Sequence, residues 1–290
     1  MKEGNQKSSM LMLVSAMLIF GTIGIFRKYI PLSSGLLACA RGFQGTLFLF
    51  LFVIISGKKV RHGIGGKKVA LLMVSGAVMG LNWMLLFEAY NYTTVPIATL
   101  CYYMEPTIVI LMSPMIFQER LTKKKIICAL IAIVGMIFVS GILDGNHVGT
   151  GSMKGILFGL AAAMLYSMVV IMNKLIGQVD AYEKTMIQLG SAALAMVPYV
   201  LLTEKITEIS WDKTSVIMLI LVGFVHTGIA YVLYFGSIEK LPAQTIAIFS
   251  YLDPITALLL AALLLGESLS IYGMLGAAFI LGTAFVSERS

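Results

Sequence analysis

Tyr103-Met104-Glu105-Pro106 and, 148 positions later, Tyr251-Leu252-Asp253-Pro254 form a matched pair of blocks in this chain. Thirteen residues past each proline a second pair follows, Glu119-Arg120-Leu121-Thr122 and Glu267-Ser268-Leu269-Ser270. A Tyr-x-acid-Pro block tied at fixed distance to Glu-x-Leu-Thr/Ser is too specific for two unrelated apolar segments to share. A shift of 146 positions also lays Pro96 on Pro242, Phe20 on Tyr166 and Lys28 on Lys174. The chain therefore reads as two copies of one unit, residues 1–146 and 147–290.

Working outward from these blocks, the surrounding composition sets the solvent. Of the 290 residues, 59% are hydrophobic and 12% charged, against about 25% charged in soluble domains. The apolar residues fall in blocks near the roughly 20 residues that one helical bilayer crossing needs. Reading blocks against breaks predicts ten helices, at about 9–29, 34–56, 68–91, 94–117, 123–143, 152–176, 181–203, 213–236, 241–265 and 270–287. Pro31 with Ser33-Ser34, Gly63 to Gly66, Asp144-Gly145-Asn146 and Gly149 to Ser152 punctuate them. The gaps are too short for an inserted soluble domain. Lys2 to Ser9 before an apolar run resembles a signal peptide, but the run continues to Ile25 without a small-residue cleavage site, so a retained first span is expected.

Lys and Arg assign the orientation. With the N-terminus cytoplasmic, the inner segments carry Lys2, Lys7, Lys58, Lys59, Arg61, Lys67, Lys68, Arg120, Lys123, Lys124, Lys125, Lys174, Lys184, Lys240 and Arg289. The outer segments carry Arg27, Lys28, Lys154, Lys205 and Lys213, and Arg41 lies inside a span. Fifteen against five favours both termini inside and an even number of spans. The same placement explains the net charge of +7 without nucleic acid. Five spans per copy is an odd number, so the copies are expected to be inverted relative to one another, as in many secondary transporters. Cys39, Cys101 and Cys128 have neither metal-like nor disulfide-like spacing. No metal or cofactor is expected.

The two Tyr-x-acid-Pro…Glu-x-Leu-Thr/Ser blocks, with Arg41 in the second span, make the chain similar to the EamA family of the drug/metabolite transporter superfamily over nearly its whole length. That resemblance implies a ten-helix, two-repeat all-α integral membrane carrier, often an exporter of amino acids or other metabolites. It is informative about architecture and poor at naming a substrate.

The residues that lipid would reject carry the chemistry. Glu105 and Asp253 fall mid-span, where a carboxylate costs at least about 3 kcal/mol. Each precedes a proline that removes a backbone hydrogen bond and frees a carbonyl. They either line a translocation cavity or kink and staple packing helices. Arg41 and Glu88 lie at depths of roughly 10 Å and 6 Å below the outer end of their spans, at 1.5 Å per residue. They either form an outer-half ion pair, or Arg41 binds a substrate carboxylate, or Glu88 snorkels to the interface. His226 lies mid-span as a candidate for proton coupling, or as a packed neutral histidine. Asn82, Trp83 and Gln44 lie within spans, and Tyr102, Tyr103, Tyr166, Tyr231, Tyr234 and Tyr251 bring phenols suited to cations and zwitterions. Glu119 and Glu267 read as turn residues before Thr122 and Ser270, which suit helix N-caps. Gly76, Gly80, Gly155 and Gly159 make small-x-x-x-small packing patterns.

A secondary transporter using alternating access fits these features, driven by protons or by the solute gradient, since no phosphate-binding Gly-rich loop is present. Its expected partners are a small-molecule solute, coupled protons and the lipid of the cytoplasmic membrane, with the chain a monomer or weak homodimer. A carrier of small organic cations, such as quaternary ammonium compounds, is the second reading. Against an intramembrane enzyme with Glu105 and Asp253 as a catalytic pair, the acids occupy equivalent positions of the repeats and no other catalytic constellation appears; a channel or scaffold would need neither the costly acids nor the duplicated prolines.

Overall fold

In lipid the backbone must satisfy its own hydrogen bonds, and an apolar chain with few internal breakers does so as helix. The computed structural model describes residues 3–57, 64–118, 121–141, 143, 150–204, 211–238, 240–241 and 243–288, and no strand occurs among them. The elements are α1 (Glu3–Gly21), α2 (Ile23–Lys28), α3 (Ser34–Ile55), α4 (Gly66–Tyr92), α5 (Val95–Tyr102), α6 (Glu105–Phe117), α7 (Lys123–Val139), α8 (Thr150–Ile176), α9 (Ala181–Thr203), α10 (Lys213–Leu221), a π-helical segment (Val222–Ile229), α11 (Ala230–Ile238), α12 (Ala243–Ser250), α13 (Leu252–Leu260), a second π-helical segment (Ala261–Leu265) and α14 (Ile271–Glu288).

Among the described residues, eight helical stretches are long and apolar enough to cross a bilayer: Lys7–Lys28, Ser34–Ile55, Gly66–Tyr92, Val95–Phe117, Ser152–Ile176, Ala181–Thr203, Lys213–Ser237 and Ile248–Leu265. The other two expected spans are shorter. α7 has 17 residues, and the apolar part of α14 is Ile271–Val286. These two pack on each other, with Gly135 facing Gly276: a Cβ on Gly135 would stand 2.9 Å from the Gly276 carbonyl oxygen. Large apolar side chains such as Ile55, Met115 and Leu202, each more than 80% exposed, would drive association in water; here they face the lipid.

The tyrosine-acid-proline blocks end helices rather than kink them. The chain turns at Tyr103-Met104 between α5 and α6, and at Tyr251 between α12 and α13. Met104 N–H donates to the Cys101 carbonyl (3.2 Å) and Tyr251 N–H to the Ile248 carbonyl (3.4 Å). Pro106 and Pro254 then fall in the first turn of the next helix, where no N–H is needed. The two carboxylates thus sit at the start of α6 and α13, favoured by the positive end of the helix dipole.

Exchanging the halves maps much of the packing onto itself. α4 packs on α8 as α11 packs on α1, and α4 packs on α9 as the first π segment packs on α3. α5 and α6 pack on α8 as α12 and α13 pack on α1, while α3 with α9 and α7 with α14 are their own mates; α5 also packs on α13. Gly76 and Gly80 admit Gln188 and Ala192 of α9, and Gly159 admits Cys101, so the small-residue patterns are packing contacts as expected.

Thr122 Oγ1 accepts from Lys125 N–H (3.3 Å) and Ser270 Oγ from Gly273 N–H (3.0 Å), the capping roles read from the sequence. Glu119, Pro242 and the Asp144-Gly145-Asn146 break lie outside the described residues. Within the repeat, Gln118 takes the place of Gly266, and both are left-handed, with φ 56° and 66°. A left-handed residue other than glycine costs about 1–2 kcal/mol. Gln118→Gly is therefore expected to raise the thermal midpoint of the detergent-purified protein by about 2–3 °C, and Gly266→Gln to lower it. An unchanged midpoint in both would mean the turns are not held in that conformation.

Candidate functional site

The break in α5–α6 faces the break in α12–α13, and Tyr103 Oη donates to Asp253 Oδ2 across them at 2.8 Å. Gly21, where α1 ends, lets that helix sit against the Asp253 turn: a Cβ there would meet the Asp253 carbonyl oxygen at 2.5 Å and Thr256 Cβ at 2.6 Å.

Arg41 projects from α3 and is 7% exposed. Its guanidinium carbon lies 4.3 Å from the Trp83 ring centroid and 5.9 Å from that of Phe87, an arrangement that attracts the cation to the ring faces. Nε donates to Thr227 Oγ1 (2.7 Å), which in turn donates to the Val222 carbonyl (3.3 Å). That last bond spans five residues, so the widened π turn is what presents Thr227 to Arg41. Side chains of α3 seat this turn, with Gln44 against Gly223 and Phe48 against Gly228. Among the described residues nothing accepts from Nη1 or Nη2. Arg41 is held by its stem and its Nε, which leaves its outer nitrogens without a protein acceptor among the described residues.

A wall of phenols adjoins it. Tyr102 lies 5.4 Å from Tyr166 and 6.3 Å from Tyr103, and Phe20 lies 5.5 Å from Tyr231 and 6.3 Å from Tyr234. Tyr231, Tyr102, Tyr90 and Asp253 are within electrostatic reach of Arg41, as is Glu105 of Tyr102 and Tyr166. Tyr102, Tyr103, Tyr166, Tyr231 and Asp253 are enclosed by protein yet keep accessible surface. The region these side chains surround is the candidate site.

The structure moves other sequence candidates away from this region. Arg41 and Glu88 are not paired. Glu88 Oε2 accepts from Ser34 Oγ (2.6 Å) and Asn91 Nδ2 (3.1 Å), and Arg27 Nη2 donates to the same Ser34 hydroxyl at 3.2 Å. Depth along two helices fixed the heights of Arg41 and Glu88 but not their azimuths. Asn82 is fully buried; its Nδ2 donates to the Ala162 carbonyl (2.6 Å), and its Oδ1 accepts from Tyr102 Oη at 3.5 Å, so it supports the tyrosine wall from behind. Trp83, 5% exposed, is the platform under Arg41. His226 is 1% exposed; its Nε2 lies 2.7 Å from Thr22 Oγ1 and its ring is edge-on to Phe26, so it joins the π segment to the α1–α2 break. Tyr251 packs edge-on against Phe285 of α14. Glu105 lies within electrostatic reach of the Tyr102 and Tyr166 phenols.

Thr227, Thr22 and Gly21 were missed. The polar cluster His226-Thr227-Gly228 inside an apolar span was the available signal for the first. Glu267 does more than shape a turn: its Oε1 pairs with Lys28 Nζ (3.3 Å) and its Oε2 accepts from Val95 N–H (2.7 Å).

Comparison with known proteins agrees with this two-half architecture. The model of the EamA-like transporter family matches residues 7–141 and again 153–288. An "Uncharacterized transporter YxxF" of Bacillus subtilis (strain 168) is 28% identical over 281 residues, 96% of this chain and 89% of its own. A "Probable amino-acid metabolite efflux pump" of Salmonella typhimurium is 29% identical over 182 residues, 59% of this chain and 60% of its own. One solved structure, described only as the crystal structure of a protein, aligns with TM-score 0.65 at 18% identity over 98% of this chain and 97% of its own, a likeness of fold alone. With both halves matched by the same family model, the chain belongs to the EamA-like transporter family.

Proposed function

We propose that this chain is a secondary transporter that carries an amino acid or a related carboxylate-bearing metabolite outward across the cytoplasmic membrane by alternating access. The observation that carries this reading is the nearness of an Arg41 guanidinium, whose outer nitrogens have no protein acceptor among the described residues, to an Asp253 carboxylate held by Tyr103. A guanidinium suits a carboxylate by bidentate bonding. The aspartate and the phenol faces suit an ammonium group, and Asp253 and Glu105 are the groups available to carry a coupled proton.

In this reading α7 and α14 also cross the bilayer, giving ten spans in two inverted repeats with both termini cytoplasmic. The alternation of helix ends supports it. Lys28, Thr93 and Glu267 meet at one end, where Lys154 also lies 5.7 Å from the Tyr92 ring. At the other, Phe52 stacks with Tyr182, Lys174 stands over Phe117, and Gln188 donates to Ser75 and Asn173. The Lys and Arg bias supports the orientation.

The test is thermal stabilisation of the purified protein by a panel of zwitterions, carboxylates and organic cations, followed by flux measurement in proteoliposomes with and without an imposed pH gradient. Zwitterions should stabilise and be transported. Tyr103→Phe should weaken the stabilising solute about tenfold, the worth of a hydrogen bond to a charged group, with the fold retained. Stabilisation by cations alone would favour the organic-cation reading, which the phenols and acids suit and Arg41 opposes.

A further inference from the structure

Resting on the alternating-access reading, we propose that Lys28, Glu267 and the Val95 amide form a latch that closes the candidate site at one end of the molecule and must open for solute to pass there. The three parts come from three different turns. Lys28 ends α2, Val95 begins α5, and Glu267 follows the left-handed Gly266 that ends the second π segment. Lys28 Nζ lies 3.3 Å from Glu267 Oε1 and donates to the Thr93 carbonyl at 3.2 Å, while Val95 N–H donates to Glu267 Oε2 at 2.7 Å. Lys28, Thr93 and Val95 belong to the first half and Glu267 to the second, so both bonds of the carboxylate cross between halves.

The location separates this contact from the fixed packing around it. Gly155 and Gly159 bring α8 directly against Thr93 and Cys101, a close apolar contact that leaves no room for sliding. The α13–α14 turn instead reaches this end through charge and hydrogen bonds, which exchange readily with water. The Lys28 side chain is 27% exposed and that of Glu267 19% exposed, so water needs no further opening to reach the pair. The carboxylate also caps the first N–H of α5, whose other end carries Tyr103 and hence the bond to Asp253. Release of Glu267 thus frees the α13–α14 turn from the first half at this end, while α5 stays seated on α8. At the opposite end, the repeat mate of Lys28, Lys174, lies 3.9 Å over the ring of Phe117, next to the left-handed Gln118 that mates with Gly266.

Hydrogen–deuterium exchange of the full chain in lipid nanodiscs tests this without any solute. In Lys28→Met, the peptide covering residues 93–98 should exchange about tenfold faster, and the peptide covering 171–177 at the opposite end should become at least about threefold slower, because opening one end closes the other. Glu267→Gln keeps an acceptor for Val95 and should give a smaller change of the same reciprocal sign. Faster exchange at both ends, or acceleration at 93–98 with 171–177 unchanged, would make the contact a structural staple and overturn the latch. Solute binding distinguishes the two readings: wild-type stabilisation by the zwitterion panel with no reciprocal exchange removes the latch and keeps the transporter, whereas reciprocal exchange without any stabilising solute keeps the latch and removes the proposed solute class.

Discussion

Arg41→Met is expected to abolish solute binding, by at least about a hundredfold, while leaving the thermal midpoint of the protein unchanged or raised. Removing the charged partner of a desolvated charge pair typically costs 2–5 kcal/mol or more in binding. The fold, in contrast, is relieved. Burial of a guanidinium costs several kcal/mol, and replacing a buried charge by an apolar residue of similar size is often neutral or stabilising. The compensation present, one bond to Thr227 and the Trp83 face, amounts to about 2–4 kcal/mol. A methionine would keep contact with the Trp83 ring, and Thr227 keeps its own acceptor in the Val222 carbonyl. Arg41→Lys should also fail to bind, since an ammonium lacks the planar fork. Thermal unfolding with and without solute measures both quantities. A large fall in midpoint with binding retained would assign Arg41 to holding the π segment instead.

The second large effect is steric. Gly21→Val should lower stability by about 2–3 kcal/mol, as overpacking does, and weaken solute binding by tens of times, although it removes no polar group. A Cβ at Gly21 meets the Asp253 carbonyl oxygen and Thr256 Cβ within 2.6 Å, and backbone at a helix start cannot swing aside as a side-chain tip would. The Asp253 turn must therefore shift, carrying the carboxylate away from Tyr103. Gly282→Val is the control, because a Cβ there meets nothing. Equal behaviour of the two variants in unfolding and solute-binding assays would mean that α1 does not position the Asp253 turn.

Much of the architecture was legible in one dimension because lipid leaves the backbone few options. A low charge content with long apolar blocks forces helices, and the matched Tyr-x-acid-Pro blocks revealed the duplication. Prolines were expected within helices; they stand just after the breaks because the first turn of a helix is where a missing N–H costs nothing. α7 ended short of the expected 123–143, α14 matched its expected length, and their contact through Gly135 and Gly276 depends on which faces meet.

The site was legible as a set of residue types, less so as an arrangement. Arg41, Asp253, Glu105 and the phenols were singled out because charge and hydroxyls are costly in lipid. Arg41 with Glu88 was the wrong pair, Asn82 and His226 turned out to be buried supports, and Thr227 was missed. Spacing along a helix gives height, but the rotation of each helix and the extra residue in a π turn are set by packing. By itself the sequence determined the solvent, the helices, the duplication and the list of residues that lipid would reject. Only the tertiary structure decided which of them share a space, because that depends on the azimuth of each helix, and azimuth is fixed by side chains from segments far apart in the chain.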